Sequence, residues 1–252
     1  MTTEPMVLTL CGPPASGKGT QARLLGEQLD APTLSTGRLI REQQRLGTAI
    51  GQLADRHLAD GGLLPDLPTQ QLLADWLDHG GHRRVVLDGF PRNVAQAGWL
   101  DRASTDRGLP PAIAVWLRVP DDVLIERTRR RWTCFHCGHS AVGPIENDPP
   151  LTCANCGAAM ERRNDDQVAV LEKRLQAWHA AAPALQDHYR QDRRLIEIDA
   201  DCDPDAVHRG IVAALGARDR EADSADASDP TSRRPGGDEP LPPAAPADGS
   251  RG

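Results

Sequence analysis

The stretch "GPPASGKGT", Gly12 to Thr20, limits what this chain can fold into more than any other. It follows a short apolar run, "MVLTL", and opens a segment of helical character. A glycine-rich turn between a strand and a helix aims backbone N–H groups and the positive end of the helix dipole at one point, which suits an anion. Gly12, Gly17 and Gly19 allow backbone geometries and close approaches that a Cβ would hinder, and Lys18 adds a mobile charge for outer phosphates. A plain glycine turn with an exposed lysine is the alternative. The strand before, the helix after and the full spacing argue against it. The usual pattern puts a hydroxyl straight after the lysine, but here Gly19 separates Lys18 from Thr20. A Mg²⁺ arriving with a nucleotide therefore has no anchor at that place. It must be held mostly by nucleotide oxygens and water, with Thr20 and Asp88 nearby.

Strand and helix signals alternate after the loop. "VLTL", "VVLD" (Val85–Asp88), "AVWL" (Ala114–Leu117) and "LIEI" (Leu195–Ile198) read as strands. Helical segments are expected at Lys18–Leu29, Thr69–Leu77, Val94–Arg107, Asp121–Arg131, Gln167–Tyr189 and Pro204–Leu215. Such alternation predicts an α/β fold, a parallel sheet covered by helices on both faces. Ligands in such folds collect at the carboxyl ends of the strands, where the glycine loop and "LDGFPR" would lie.

No stretch approaches the roughly 20 apolar residues of a membrane span, and the start lacks a basic, apolar leader. The chain reads as cytoplasmic. Its net charge of −7 argues against a general nucleic-acid binder. From Arg218 to Gly252 the only large aliphatic residue is Leu241, so 218–252 reads as a disordered tail and 1–217 as the folded body.

Cys134, Cys137, Cys153 and Cys156 form Cys-x2-Cys-x15-Cys-x2-Cys, a zinc-site spacing. Four thiolates fill a tetrahedral shell and leave no position for water, so a zinc there is structural. Ligation can contribute on the order of 10 kcal/mol to a lobe too small to build much core. Unligated core thiols are the alternative. A zinc ribbon for nucleic acid competes, with "RTRRR" from Arg127 in its favour. The acidic balance and an aromatic content of only 3% weaken it, because stacking platforms need rings.

Together these motifs resemble the adenylate kinases, within the nucleoside monophosphate kinase family. "GPPASGKGT", "LSTGRLIRE", "GGLLPD", "LDGFPRNVAQA", "RVPDDVLIER", "CFHC…CANC" and "RRNDDQ…KRL" occur in the family's order. The resemblance implies a P-loop three-layer fold with a five-stranded parallel sheet. It also implies a helical insertion at 35–64 that binds the monophosphate and a zinc-bearing lid at 131–167. Ala15, Ser16, Gly17, Lys18, Gly19, Thr20, Arg127 and Arg131 would bind ATP.

Thr36, Arg41, the backbone of Gly62, Leu63 and Leu64, Gly89, Arg92 and Gln96 would bind AMP, with Arg163 and Arg174 reaching the same phosphate. The Gln96 carboxamide offers a donor and an acceptor to adenine. Relatives that take pyrimidine monophosphates tend to carry Asn and Ala where Gln96 and Thr36 stand. Lys18, Arg92, Arg127, Arg163 and Arg174 would face the transferring phosphates, and Asp88 would position water around Mg²⁺. Asp165 and Asp166 would steady the lid arginines and the hinge. The implied reaction is reversible transfer from Mg·ATP to AMP by a monomer, giving two ADP.

Three departures stand out. Ala15 replaces a glycine, Arg38 replaces the usual Asp of "STGD", and Arg129, Arg130 and Trp132 alter a Gly-Arg-Arg pattern. They leave open another monophosphate acceptor, GTP as donor, or a non-catalytic nucleotide-binding regulator.

Overall fold

The computed structural model describes residues 4–58, 62–145 and 151–227. Positions 59–61 of the expected insertion, 146–150 of the expected lid and 228–252 of the expected tail lie outside the described residues.

Five strands make one parallel sheet. They are β1 (Met6–Cys11), β2 (Thr33–Ser35), β3 (Arg84–Asp88), β4 (Ile113–Arg118) and β7 (Leu195–Asp199), in the order β2-β3-β1-β4-β7. Two short strands, β5 (Arg131–Thr133) and β6 (Ser140–Val142), form a separate antiparallel pair. The α/β class and the five-stranded parallel sheet are as the motifs imply.

Alternation along each strand explains the two covered faces. Val7, Cys11, Val85, Leu87, Ala114 and Trp116 share one core cluster with α5 (Val94–Thr105) and α7 (Val168–Gln191). The intervening Leu8, Leu10, Val86, Val115 and Leu117 are equally buried. Helix α1 (Lys18–Leu29) lies against β1, β2 and β3. Trp116 meets Trp178 of α7 at 4.8 Å between ring centroids, tying the helix to the sheet.

Between β2 and β3 the chain forms α2 (Thr36–Arg45), α3 (Ala49–Leu58) and α4 (Asp66–Gly80). Ile40, Ala54, Leu64 and Leu72 give this region a small core of its own. Helix α6 (Asp121–Arg129) follows β4 and leads into the β5–β6 pair. Leu124 of α6 packs with Leu171 and Leu175 of α7.

Contacts divide the chain into two units, Met1–Ala213 and Ala214–Gly252. Helix α8 (Pro204–Ala227) begins in the first, where Gln21 donates to the Pro204 carbonyl at 2.8 Å. The described part of the second unit is the rest of α8. The helix thus runs through Arg218 to Ala227, past the expected end of the folded body at 217, on a segment whose three Ala and two Arg favour helix while its three Asp do not. Among the described residues no helix is long and apolar enough to cross a membrane.

Because all five main strands run parallel, their carboxyl ends share one edge. Ser35 pairs with Asp88, Asp88 with Leu10, Cys11 with Trp116, and Arg118 with Asp199. The glycine loop, the Asp88–Arg92 turn and the start of α2 all leave from that edge.

Candidate active site

The loop closes on itself around Lys18. Its Nζ donates to the carbonyls of Gly12 at 2.9 Å and Pro13 at 2.6 Å, with Ser16 Oγ at 3.4 Å. Gly17 caps α1 in a left-handed conformation at φ 94°, and no side chain caps the helix. The first turn of α1 holds no acid either, so its N–H groups are left for an anion. Lys18 is part-exposed at its surface yet packed round by protein. Burial pushes its pKa down to about 8; Asp88 opposes this, and Arg92, Arg174 and Arg131 add to it. A cation held this way gains from an arriving polyanion. Ala15, in the same loop, sits at φ 64°, a left-handed backbone that costs an L-residue roughly 1 kcal/mol. Asp88 faces the start of α1: a Cβ at Gly19 would lie 3.5 Å from its Oδ2. Thr20 sits one residue further along that first turn.

On the acceptor side, α2 and the turn after β3 converge. Arg92 donates from Nε to the Gly89 carbonyl at 2.8 Å, which fixes its stem and leaves its terminal nitrogens toward the cavity. Burial pushes Arg92 and Arg41 each down to about 10; Arg174 adds to the depression at Arg92 and Arg163 to that at Arg41. Desolvated like charges with few counter-ions describe a site built for anions. Thr36 donates from Oγ1 to the Asp88 carbonyl at 3.2 Å. Leu64 belongs to the core beneath, so it can offer only backbone, whereas Leu63 lines the cavity.

Gln96 shows what sequence reasoning missed. Its Oε1 accepts from the Arg92 backbone N–H at 2.8 Å and its Nε2 donates to Asp66 Oδ1 at 2.6 Å. Asn93 donates to the same carboxylate at 3.1 Å. Asp66 therefore orients the carboxamide, leaving one lone pair and one N–H for a base. The signal for it was an acid opening α4 just after Pro65.

The lid arginines are held by two carboxylates. Arg163 pairs with Asp165 through both oxygens, at 2.8 and 2.7 Å, and Arg174 reaches the same group at 2.6 Å. Arg131 pairs with Asp166 in the same forked manner, with Nε at 2.9 Å. Although burial opposes it, the arginine charges hold the Asp165 carboxyl well below the usual range. These pairs put Asp165 and Asp166 on the arginines they are expected to steady. Arg127 lies apart, donating to the Ala200 carbonyl at 2.9 Å beside Asp201.

A cavity of about 630 Å³ opens between α2 and the lid. Arg41, Gly62, Leu63, Arg92, Arg163 and Arg174 line it. Lys18, Arg127 and Arg131 do not, but Lys18 and Arg131 stand within electrostatic range of the same arginines.

The four lid thiols converge, with all Sγ atoms within 4.8 Å of one another. Cys134 to Cys156 is 3.5 Å and Cys137 to Cys153 is 3.6 Å, close to the ~3.8 Å between ligands of a tetrahedral zinc–thiolate site. All six cysteines are free, so no disulfide competes. Two matching turns present these thiols. Gly138 N–H bonds the Cys134 carbonyl at 2.8 Å, and Gly157 N–H bonds that of Cys153 at 2.9 Å. Both glycines are left-handed, at φ 79° and 75°. The donor set and its spacing fit a divalent metal. Trp132, wholly buried, packs with Cys134, Cys153 and Met160 as the lid's own core.

The adenylate kinase family model matches residues 10–194. An adenylate kinase of Thermoanaerobacter sp. (strain X514) is 36% identical over 217 residues, covering 84% of this chain and 99% of its own length. One from Moorella thermoacetica is 39% identical over 215 residues, 84% of this chain and 98% of its own. One from Acidothermus cellulolyticus is 36% identical over 214 residues, 83% of this chain and 98% of its own. A single family thus spans the glycine loop, the arginine-lined cavity and the four-thiol lobe alike, and the chain belongs to the adenylate kinase family.

Proposed function

We infer that the protein transfers a phosphoryl group reversibly from Mg·ATP to AMP, giving two ADP. The observation that carries this reading is the crowd of desolvated cations around one cavity: Arg41, Arg92, Arg163 and Arg174, with Lys18 behind them. Two nucleotides meeting end to end bring several negative charges together. Most of the catalysis then lies in positioning and in neutralising that charge.

In the step itself, an oxygen of the AMP phosphate attacks the γ-phosphorus of ATP. The bond to the bridging β,γ oxygen breaks, and its electron pair leaves with ADP. The attacking oxygen is already anionic, so no side chain need remove a proton. Lys18 leaves its loop carbonyls for the β- and γ-phosphates, which the N–H groups of residues 15–20 surround. Arg41 and Arg92 fork onto the AMP phosphate. Arg163 and Arg174 are held ready by Asp165 and turn to the group in transit. Arg127 and Arg131 serve the donor side.

Gln96, held by Asp66 and the Arg92 N–H, reads the base beside Thr36 and the backbone of Gly62 to Leu64. Asp88 and Thr20 would hold the water around Mg²⁺, which when bound offsets phosphate charge. Zinc on Cys134, Cys137, Cys153 and Cys156 would shape the lid and leave the chemistry to the arginines.

We assign residues 35–64 to acceptor binding and 131–167 to a lid that excludes water. Every group the reaction needs comes from one chain, which supports a monomer working in the cytoplasm on small nucleotides, apart from membranes and nucleic acid. A panel of nucleoside monophosphates with ATP or GTP, read by ADP or GDP formation, tests the assignment. AMP with ATP should lead; preference for a pyrimidine monophosphate would overturn it.

A further inference from the structure

Arg38 is the acceptor-side cation that this phosphate chemistry leaves without a task. It stands in the first turn of α2, where the helix dipole disfavours positive charge and no acid compensates. Among the described residues it makes no hydrogen bond and no ion pair. Its neighbour is instead the lid. A Cβ built on Gly138 would lie 3.2 Å from Arg38 Cδ and 4.0 Å from its Nη1. Gly138 follows Cys137 and closes the first metal-binding turn. Arg38, Phe135 and Gly138 share a cavity wall with Arg41, Leu63 and Arg92, and Phe135 is half-exposed there. The metal-binding turn therefore faces the acceptor pocket.

Four thiolates around one divalent cation carry a net charge of about −2. A guanidinium beside such a centre is attracted to it, and the attraction grows as closure removes water. Building on the function read above, we propose that Arg38 is a positioning residue that latches α2 to the metal-loaded turn at Cys134–Gly138. The latch draws the lid over the acceptor nucleotide. Its effect is directional. Helix α2 carries Thr36 and Arg41, so the latch acts first on AMP; the donor contacts at Lys18 and Arg127 lie elsewhere, and only Arg131 reaches the donor from the lid. Losing the metal removes the charge that Arg38 answers.

The test uses the full-length, zinc-loaded protein. Arg38→Met should raise the KM for AMP about fivefold or more, with the KM for ATP and kcat both moving less. Arg38→Lys keeps the charge and should recover most of the loss. AMP binding by calorimetry, before and after metal removal, supplies a readout apart from turnover. Removal should weaken AMP binding to the unaltered protein about as much as Arg38→Met does, and should weaken the Met variant little further. An unchanged AMP affinity in Arg38→Met overturns the latch. So does a metal effect of equal size in both proteins. If the metal-free lid collapses, the zinc-loaded Met and Lys variants decide alone: equal losses in both would sink the latch. A protein that does not use AMP fails the acceptor panel first, which separates loss of the function from loss of the latch.

Discussion

The body and the lid solve the same problem with opposite means. In the body, a parallel sheet with both faces covered holds the glycine loop, Asp88 and Arg92 at one edge. Aliphatic burial supplies the rigidity, at roughly 25 cal/mol per Å² of apolar surface. The lid has short strands and a buried cluster of Trp132, Cys134, Cys153 and Met160. Half of that cluster is cysteine placed to hold a metal, so its order is expected to depend on ligation. Charged groups on the body are fixed by its core, whereas those on the lobe are held by pairing: Asp165 holds Arg163 and Arg174, and Asp166 holds Arg131.

The comparison breaks most sharply at the phosphates. Lys18→Ala or Arg92→Ala should lower turnover on the order of 10²-fold or more, as loss of a preorganised charge donor does. Amide protection in β1, β3 and β4 should persist. Near-normal turnover in either variant would remove that residue from the reaction.

Chelation should act on the other region. One zinc per chain should leave, thermal stability should fall, and amide protection should drop around β5, β6 and the two cysteine turns while the main sheet keeps its own. Equal stability without metal would end the claim that ligation organises the lid.

A pH profile probes the loop. The Lys18 pKa is pushed down to about 8, below the ordinary lysine value, so in the ligand-free protein its charge is lost as pH rises through 8. The value of kcat/KM for ATP should therefore fall above about pH 8, while kcat holds further because bound phosphate restores the proton. The same depression costs folding stability below pH 8, and the cost fades as pH rises from 8 toward 10.5. A kcat/KM flat to pH 10 would contradict this.

Ala15→Gly has the smallest effect expected. Relief of the left-handed strain is opposed by greater chain freedom and by lost contact with the Leu124, Leu171 and Leu175 cluster. Urea unfolding should show a gain under about 1 kcal/mol. A loss would mean the methyl contact outweighs the strain.

Sequence legibility followed the same divide. β1, β3, β4 and β7 announce themselves as apolar runs, and α1, α5 and α6 begin at the residues their patterns indicate. Helix α2, "TGRLIREQQR", buries only Thr36 and Ile40, too little for a periodic stripe, and β2 has three residues. Both were implied by resemblance and not by pattern. Metal ligands were legible because a spacing rule exists for them. Pairings such as Asp66 with Gln96, or Asp165 with Arg163 and Arg174, obey no such rule and emerge only when the chain is folded. The helical run from Arg218 to Ala227 went unread because its composition lacks the apolar residues that mark a packed helix.

The central claim is that the cations close over two nucleotides and keep water out. ADP and inorganic phosphate, measured together from Mg·ATP with and without AMP, test it directly. Two ADP for each AMP consumed, with negligible phosphate release when AMP is absent, is the predicted result. Phosphate release at the same rate without AMP would contradict it.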